Sequence, residues 1–120
     1  KEVKKTGKTA ILHMCGHVRN LLPLIKKTEC DGIHALTPPP TGDTPWELAL
    51  DVLGEDTIII SALDPSVFIL SNIEEISVAL DKIVTPRLRK ANFVLGVFAD
   101  GISVEPERFY AVAKWVEKNS

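Results

Sequence analysis

A histidine and a cysteine stand two residues apart in Leu12-His13-Met14-Cys15-Gly16-His17. On a β-strand, residues two apart leave the same face, so an imidazole and a thiol would point together. Nitrogen and sulfur are the donors zinc prefers. Two ligands do not make a site, and a third has to come from another strand end. Asp100, in Ala99-Asp100-Gly101, offers a carboxylate oxygen. Three protein ligands and an open position form the pattern of a catalytic zinc, which lowers the pKa of a bound water or thiol. His13, Cys15 and Asp100 are thus the expected metal ligands. His17, Asp43 and Asp64 are the groups expected to orient substrate or ligands, with His17 and Asp43 as the catalytic candidates. Each has a plainer reading. His13 suits a hydrogen-bonded interior histidine, and Cys15 a small buried hydrophobe. His17 suits a solvated loop, Asp43 the cap of a following helix, and Asp64, before Pro65, a cap at a helix start. His34 reads as a mid-strand core or barrel-interior residue, and Cys30, Trp46 and Trp115 as packing.

These residues need a frame to hold them. Four short apolar runs read as strands: Thr9–Met14, Gly32–Leu36, Thr57–Leu63 and Asn92–Phe98. Each is apolar on both faces, which suits a parallel sheet covered on both sides. A helical pattern follows each run. Asn20 can cap a helix with Pro23 in its first turn and a stripe of Leu21, Leu24 and Ile25. Pro45 can open a second, with Trp46, Ala49, Leu50 and Leu53 on one face and Gly54 as its stop. Ser71-Asn72-Ile73-Glu74 reads as a capping box for a third, which Pro86 must kink or end. Pro106 opens the last, with Phe109, Val112, Ala113 and Val116 facing in. The order is βαβαβαβα in one unit spanning residues 1–120. Such alternation demands an α/β fold with a parallel sheet and right-handed crossovers. Four such units are half of a (β/α)8 barrel, and a doubly wound four-stranded sheet is the alternative. In either case the site lies at the carboxyl ends of the strands, where His13–His17, Thr37–Asp43, Asp64 and Asp100 fall.

Composition narrows the function further. The chain has 120 residues, 45% of them hydrophobic and 25% charged, with a formal charge of -2. It is neither basic nor patched with Lys and Arg, which argues against nucleic acid as a partner. No apolar run approaches the roughly 20 residues that span a bilayer. No glycine-rich phosphate loop follows any strand. Two cysteines make no disulfide framework, so reduced thiols in a cytoplasmic protein are expected. Lys1–Lys8 opens without methionine and reads as a helix end, closed by Gly7, running into a strand. The expectation is a chain that forms the tail of something larger.

The same residues carry a family likeness. Leu12–His17, followed by Leu21-Leu22-Pro23-Leu24-Ile25, resembles the H-x-C-G and LLPL stretches of the uroporphyrinogen decarboxylase superfamily. Asp31–Asp43, DGIHALTPPPTGD, is similar to the DGIESLTPPPxGD stretch of a methyltransferase-like branch, Ala62-Leu63-Asp64-Pro65 to its N-x-D-P, and Phe93–Ile102 to the last barrel strand and its loop. The likeness runs in order over nearly the whole chain. It implies the C-terminal part of a (β/α)8 barrel, its last four βα units. It also implies one of two activities. One is zinc-assisted methyl transfer to or from a corrinoid carried on a partner protein, with a methyl donor or thiol as the small substrate. The other is cofactor-free decarboxylation of uroporphyrinogen III in haem synthesis. His13 and Cys15 match the methyltransferases' H-x-C motif, while Asp100 stands where those enzymes carry a further cysteine. The decarboxylase's key aspartate and arginines belong to the N-terminal half and match nothing here. A half-barrel would also leave open strand edges, so association with another copy or with the missing N-terminal half is expected. An inactive half-barrel that serves as an interaction module is the non-enzymatic alternative.

Overall fold

The structure is a computed structural model that describes residues 2–97 and 103–120. Among these residues four strands, β1 (Ile11–His13), β2 (Gly32–His34), β3 (Ile58–Leu63) and β4 (Phe93–Val97), form one sheet. All pairings are parallel and the spatial order is β1-β2-β3-β4. The order never reverses, so this is not the doubly wound arrangement. Among the described residues, seven α-helices accompany the strands: α1 (Glu2–Lys5), α2 (Leu22–Lys27), α3 (Trp46–Leu53), α4 (Pro65–Leu70), α5 (Ile73–Ile83), α6 (Pro86–Lys90) and α7 (Pro106–Asn119).

The strand register decides which face is packed. Leu12, Ile33, Ile59 and Phe93 are aligned across the sheet. Ile33 and Ile59 are fully buried in the core, with Leu12 and Phe93 against it. That core continues through Leu22, Ile25, Leu50, Phe68, Leu80 and Val112 of the helices. The adjacent row is His13, His34, Ile60 and Val94, and it belongs to the opposite face because strand side chains alternate. His13 and His34 are exposed and Val94 is 52% exposed. The expectation of a sheet covered on both faces is therefore corrected: one face is packed by helices and the other carries exposed side chains.

The strands are shorter than the apolar runs. β2 ends at His34 because Ala35 adopts φ 63, a left-handed conformation that costs an L-residue about 1–2 kcal/mol. The small, buried Ala35 still donates its N–H to the Ile60 carbonyl at 2.8 Å, then the chain leaves the sheet. β2 begins at Gly32, where a Cβ would stand 2.4 Å from the Ile58 carbonyl oxygen. Only a residue without a side chain fits between the neighbouring strands there.

Several helix expectations shift in detail. A 3-10 turn, Arg19–Leu21, precedes α2, and Asn20 lies inside it instead of capping. The buried face of α2 is Leu22 and Ile25, while Leu21 is 40% and Leu24 57% exposed, because the extra turn rotates the stripe by one residue. Pro45 is the residue before α3, and Trp46, Ala49 and Leu50 are buried with Gly54 at its end, as the spacing predicts. α4 is an additional helix, and its start is fixed by Asp64, whose carboxylate accepts from Ser66 N at 2.8 Å. The capping box of α5 sits one residue later than its pattern suggests: the Asn72 amide donates to Glu75 Oε2 at 2.9 Å. Pro86 does end α5 and opens α6, capped by Thr85. In α7 the buried residues are Val112 and Trp115. Phe109 and Val116 are partly exposed, and Ala113 is exposed, because the core lies one step around the helix. Gly7 closes α1 by donating to the Lys4 carbonyl at 3.0 Å.

Candidate functional site

The carboxyl ends of β1, β2 and β3 are tied together by hydrogen bonds between their loops. The Gly16 amide donates to Thr37 Oγ1 at 3.2 Å, and Thr37 in turn donates to the Ala35 carbonyl at 3.0 Å. The Arg19 amide donates to Asp43 Oδ1 at 3.1 Å. The Thr41 amide donates to Asp64 Oδ2 at 3.3 Å. The loop after β2 thus bridges the loops on either side. It is compact enough that a Cβ at Gly42 would stand 2.1 Å from the Thr37 carbonyl oxygen. These bonds hold the strand-end loops in fixed relation, which is what a site assembled from several loops requires.

His13 ends β1 and sits in register with His34 at the end of β2. Their Nδ1 atoms are 2.8 Å apart and their ring centroids 4.9 Å, tilted at 51°. At that distance one ring donates its Nδ1 proton and the other accepts, so the contact fixes opposite tautomers. The sequence alone reads His34 as a mid-strand core or barrel-interior residue, with no partner named. The missing knowledge was the register: with Ile11 opposite Gly32, the two histidines become cross-strand neighbours. The Nε2 atom of His13 has no partner among the described residues. Cys15 lies beyond the end of β1, an exposed free thiol. The expectation that the two-residue spacing puts both side chains on one strand face is corrected: β1 ends at His13, which lies on the open face of the sheet, and Cys15 belongs to the loop that follows.

The donor set fits zinc in kind: an accessible imidazole nitrogen and an accessible thiol. Among the described residues, no group of three His, Cys, Asp or Glu is arranged to hold one ion, so His34 does not complete a set with His13 and Cys15. Asp100, the expected third ligand, lies outside the described residues.

His17 is exposed, and its charge favours the ionised form of Asp43. Partial desolvation pushes the Asp43 pKa up. It is outweighed by the Thr44 hydroxyl at 2.9 Å, the Arg19 amide, the His17 charge and the Val18 amide, which together hold the carboxyl below its ordinary range. Asp43 thus steadies the turn before α2 instead of capping α3. Asp64 is buried and likewise held low. Its desolvation is overcome by hydrogen bonds from Ser66 and Thr41, including the Ser66 hydroxyl at 2.5 Å. Trp46 and Trp115 are packing residues, as read: Trp46 donates its indole N–H to Ser61 at 2.8 Å, and Trp115 to Asp81 at 2.9 Å. Cys30 packs against the core.

The fold and these strand ends define an α/β protein with a sequentially ordered parallel sheet and polar groups gathered at the carboxyl edge. No protein-family model matches the chain, and no curated protein matches it. Among the described residues, no helix is long and apolar enough to cross a membrane.

Proposed function

We propose that the chain is the C-terminal half of a (β/α)8 barrel of the uroporphyrinogen decarboxylase superfamily, on its methyltransferase-like side. In the completed barrel it passes a methyl group between a small molecule and a corrinoid on a partner protein, in the cytoplasm. The observation that carries this reading is the open face of the sheet. Parallel strands in unbroken sequential order, joined by right-handed crossovers, place their helices on one side. In a barrel the other side becomes the interior, and its mouth lies where His13, Cys15, His17 and Asp43 stand.

His13, Cys15 and Asp100 are the residues that would hold zinc there. When bound, such a metal supplies a Lewis acid that withdraws charge from the substrate heteroatom. The chain's own residues supply the positioning. His34 engages Nδ1 of His13 and leaves Nε2 as the donor, the role that a ligand histidine's outer partner ordinarily plays. Asp43 and Thr37 keep the loops after β1 and β2 in register, and His17 stands beside Asp43 at the mouth, where substrate would enter.

The test is metal analysis. The purified protein is expected to carry about one zinc per chain, lost in Cys15→Ser, and cobalt(II) in its place should show a thiolate charge-transfer band. Absence of bound metal at any zinc concentration moves the reading to the decarboxylase or to an inert half-barrel. The open face and the unpaired edges of β1 and β4 also support association with a second copy or the N-terminal half. A monodisperse monomer in light scattering would remove that part of the proposal.

A further inference from the structure

A cleft of about 270 Å³ lies on the helix-covered side, away from the histidine pair. Its walls are Pro38, Pro45, Trp46, Val67, Ile83 and Leu88, contributed by the loop after β2 and by helices α3 to α6. Among the described residues, the polar groups lining it are Glu47, Asp64 and Thr85, with no Lys, Arg or His. Two carboxylates therefore face an apolar cleft without a cationic neighbour in its lining.

Their hydrogen bonding separates their roles. Asp64 already accepts from three donors, Ser66 N and Ser66 Oγ on Oδ1 and Thr41 N on Oδ2. It contributes charge, with most of its acceptor positions taken. Glu47 accepts from the Thr85 hydroxyl through Oε1, and its Oε2 has no partner among the described residues. Low-dielectric walls strengthen the field of both charges inside the cleft. An anion would be repelled. A neutral apolar guest would strip water from Glu47 Oε2 and give nothing back. A bare divalent ion would find one free carboxylate oxygen where calcium needs six or more oxygen ligands. We propose that this cleft binds a small organic cation, an ammonium on a compact aromatic or branched apolar body. The ammonium pairs with Glu47 Oε2, and the body lies between Pro45, Val67 and Leu88. The volume falls just below the range of drug-sized pockets, which suits a single-ring amine.

Benzylammonium tests the charge and benzyl alcohol, nearly the same shape, controls for it. In an NMR titration of the full chain, benzylammonium should saturate with a Kd on the order of 1 mM, as expected for so few atoms. The shifts should gather on the Trp46 indole N–H, Val67 and Leu88. Benzyl alcohol should bind about fivefold or more weakly. Glu47→Gln keeps the acceptor for Thr85 and should bring the amine most of the way down toward the alcohol, with the Asp64 charge accounting for what preference remains. Val67→Phe fills the cleft and should abolish both. Equal affinity for amine and alcohol in the wild-type protein overturns the proposal without reference to any variant. So do an unchanged affinity in Glu47→Gln, the lack of a saturable shift, and shifts that gather at His13 and His34.

Discussion

The two faces of this sheet answer to different physics. On one, the row Leu12–Ile33–Ile59–Phe93 meets the helices, and the residues at its centre have lost all contact with water. On the other, the row His13–His34–Ile60–Val94 begins with a hydrogen-bonded imidazole pair and ends on an exposed valine. The first face holds the chain together. The second is where groups remain available for chemistry or for a partner. Stability and function are thus separated by one residue of strand register, since side chains alternate across the pleat.

The separation is open to attack from its strong side first. Phe68 is fully buried in the core and packs edge-on against Phe109 at 5.2 Å between ring centroids. Phe68→Ala should cost about 3–5 kcal/mol in urea denaturation, a large share of a small domain's stability. A cost under about 1 kcal/mol would mean that the helical layer is not packed on this face as described.

Next come the loops that join the two faces. Gly42→Ala forces a methyl group into the Thr37 carbonyl, and the backbone there has to give way. We expect a loss of about 1–3 kcal/mol. We also expect altered amide shifts at Gly16 and Arg19, whose N–H groups donate to Thr37 and Asp43 of this loop, and at Thr41, which lies in it and donates to Asp64. Unchanged shifts at those three amides would separate the loops that the hydrogen bonds connect.

Asp64 gives a smaller effect with a pH signature. Removing its cap in Asp64→Ala should cost about 0.5–2 kcal/mol near neutral pH. Its folded pKa is depressed below the ordinary 3.8, so its contribution is present above the unfolded value and is lost as pH falls through the folded one. The difference between wild type and Asp64→Ala should therefore hold from pH 7 to about 5 and shrink below pH 4. A difference that grows on acidification would reverse the assigned sign.

How much of this was readable in advance follows from the range of each interaction. The four strands and the alternation of strand and helix are local signals, carried by runs such as Ile58-Ile59-Ile60 and by Pro45 and Pro106. α4 escaped because Pro65–Leu70 is too short and too uniformly apolar to show a helical period, although Asp64-Pro65-Ser66 is a good start signal. The faces of α2 and α7 were misplaced by one residue. A 3-10 turn in one case and long-range packing of Trp115 against α5, where its indole donates to Asp81, in the other set their rotation. The candidate residues were legible as types: His13, Cys15, His17, Asp43 and Asp64 all fall at strand ends. Their partnerships were not. That Asp43 holds the Arg19 amide and that His13 meets His34 depend on loops closing over more than 20 positions, and no local pattern encodes that.

The finest probe of the comparison is His34 itself. It is exposed, and its hydrogen bond with His13 is open to water, so His34→Ala should change stability by no more than about 0.5 kcal/mol. The loss should be seen in the tautomers instead. With the pair intact, nitrogen-15 spectra should show one ring protonated at Nδ1 and the other bare there, because a 2.8 Å contact between two Nδ1 atoms needs one donor and one acceptor. In His34→Ala, His13 should relax to the mixture of Nδ1–H and Nε2–H tautomers of a solvent-exposed histidine. A stability loss of several kcal/mol would place this pair in the core and erase the distinction between the faces. A stable protein whose His13 tautomer is indifferent to His34 would keep that distinction but remove His34 from the positioning of His13.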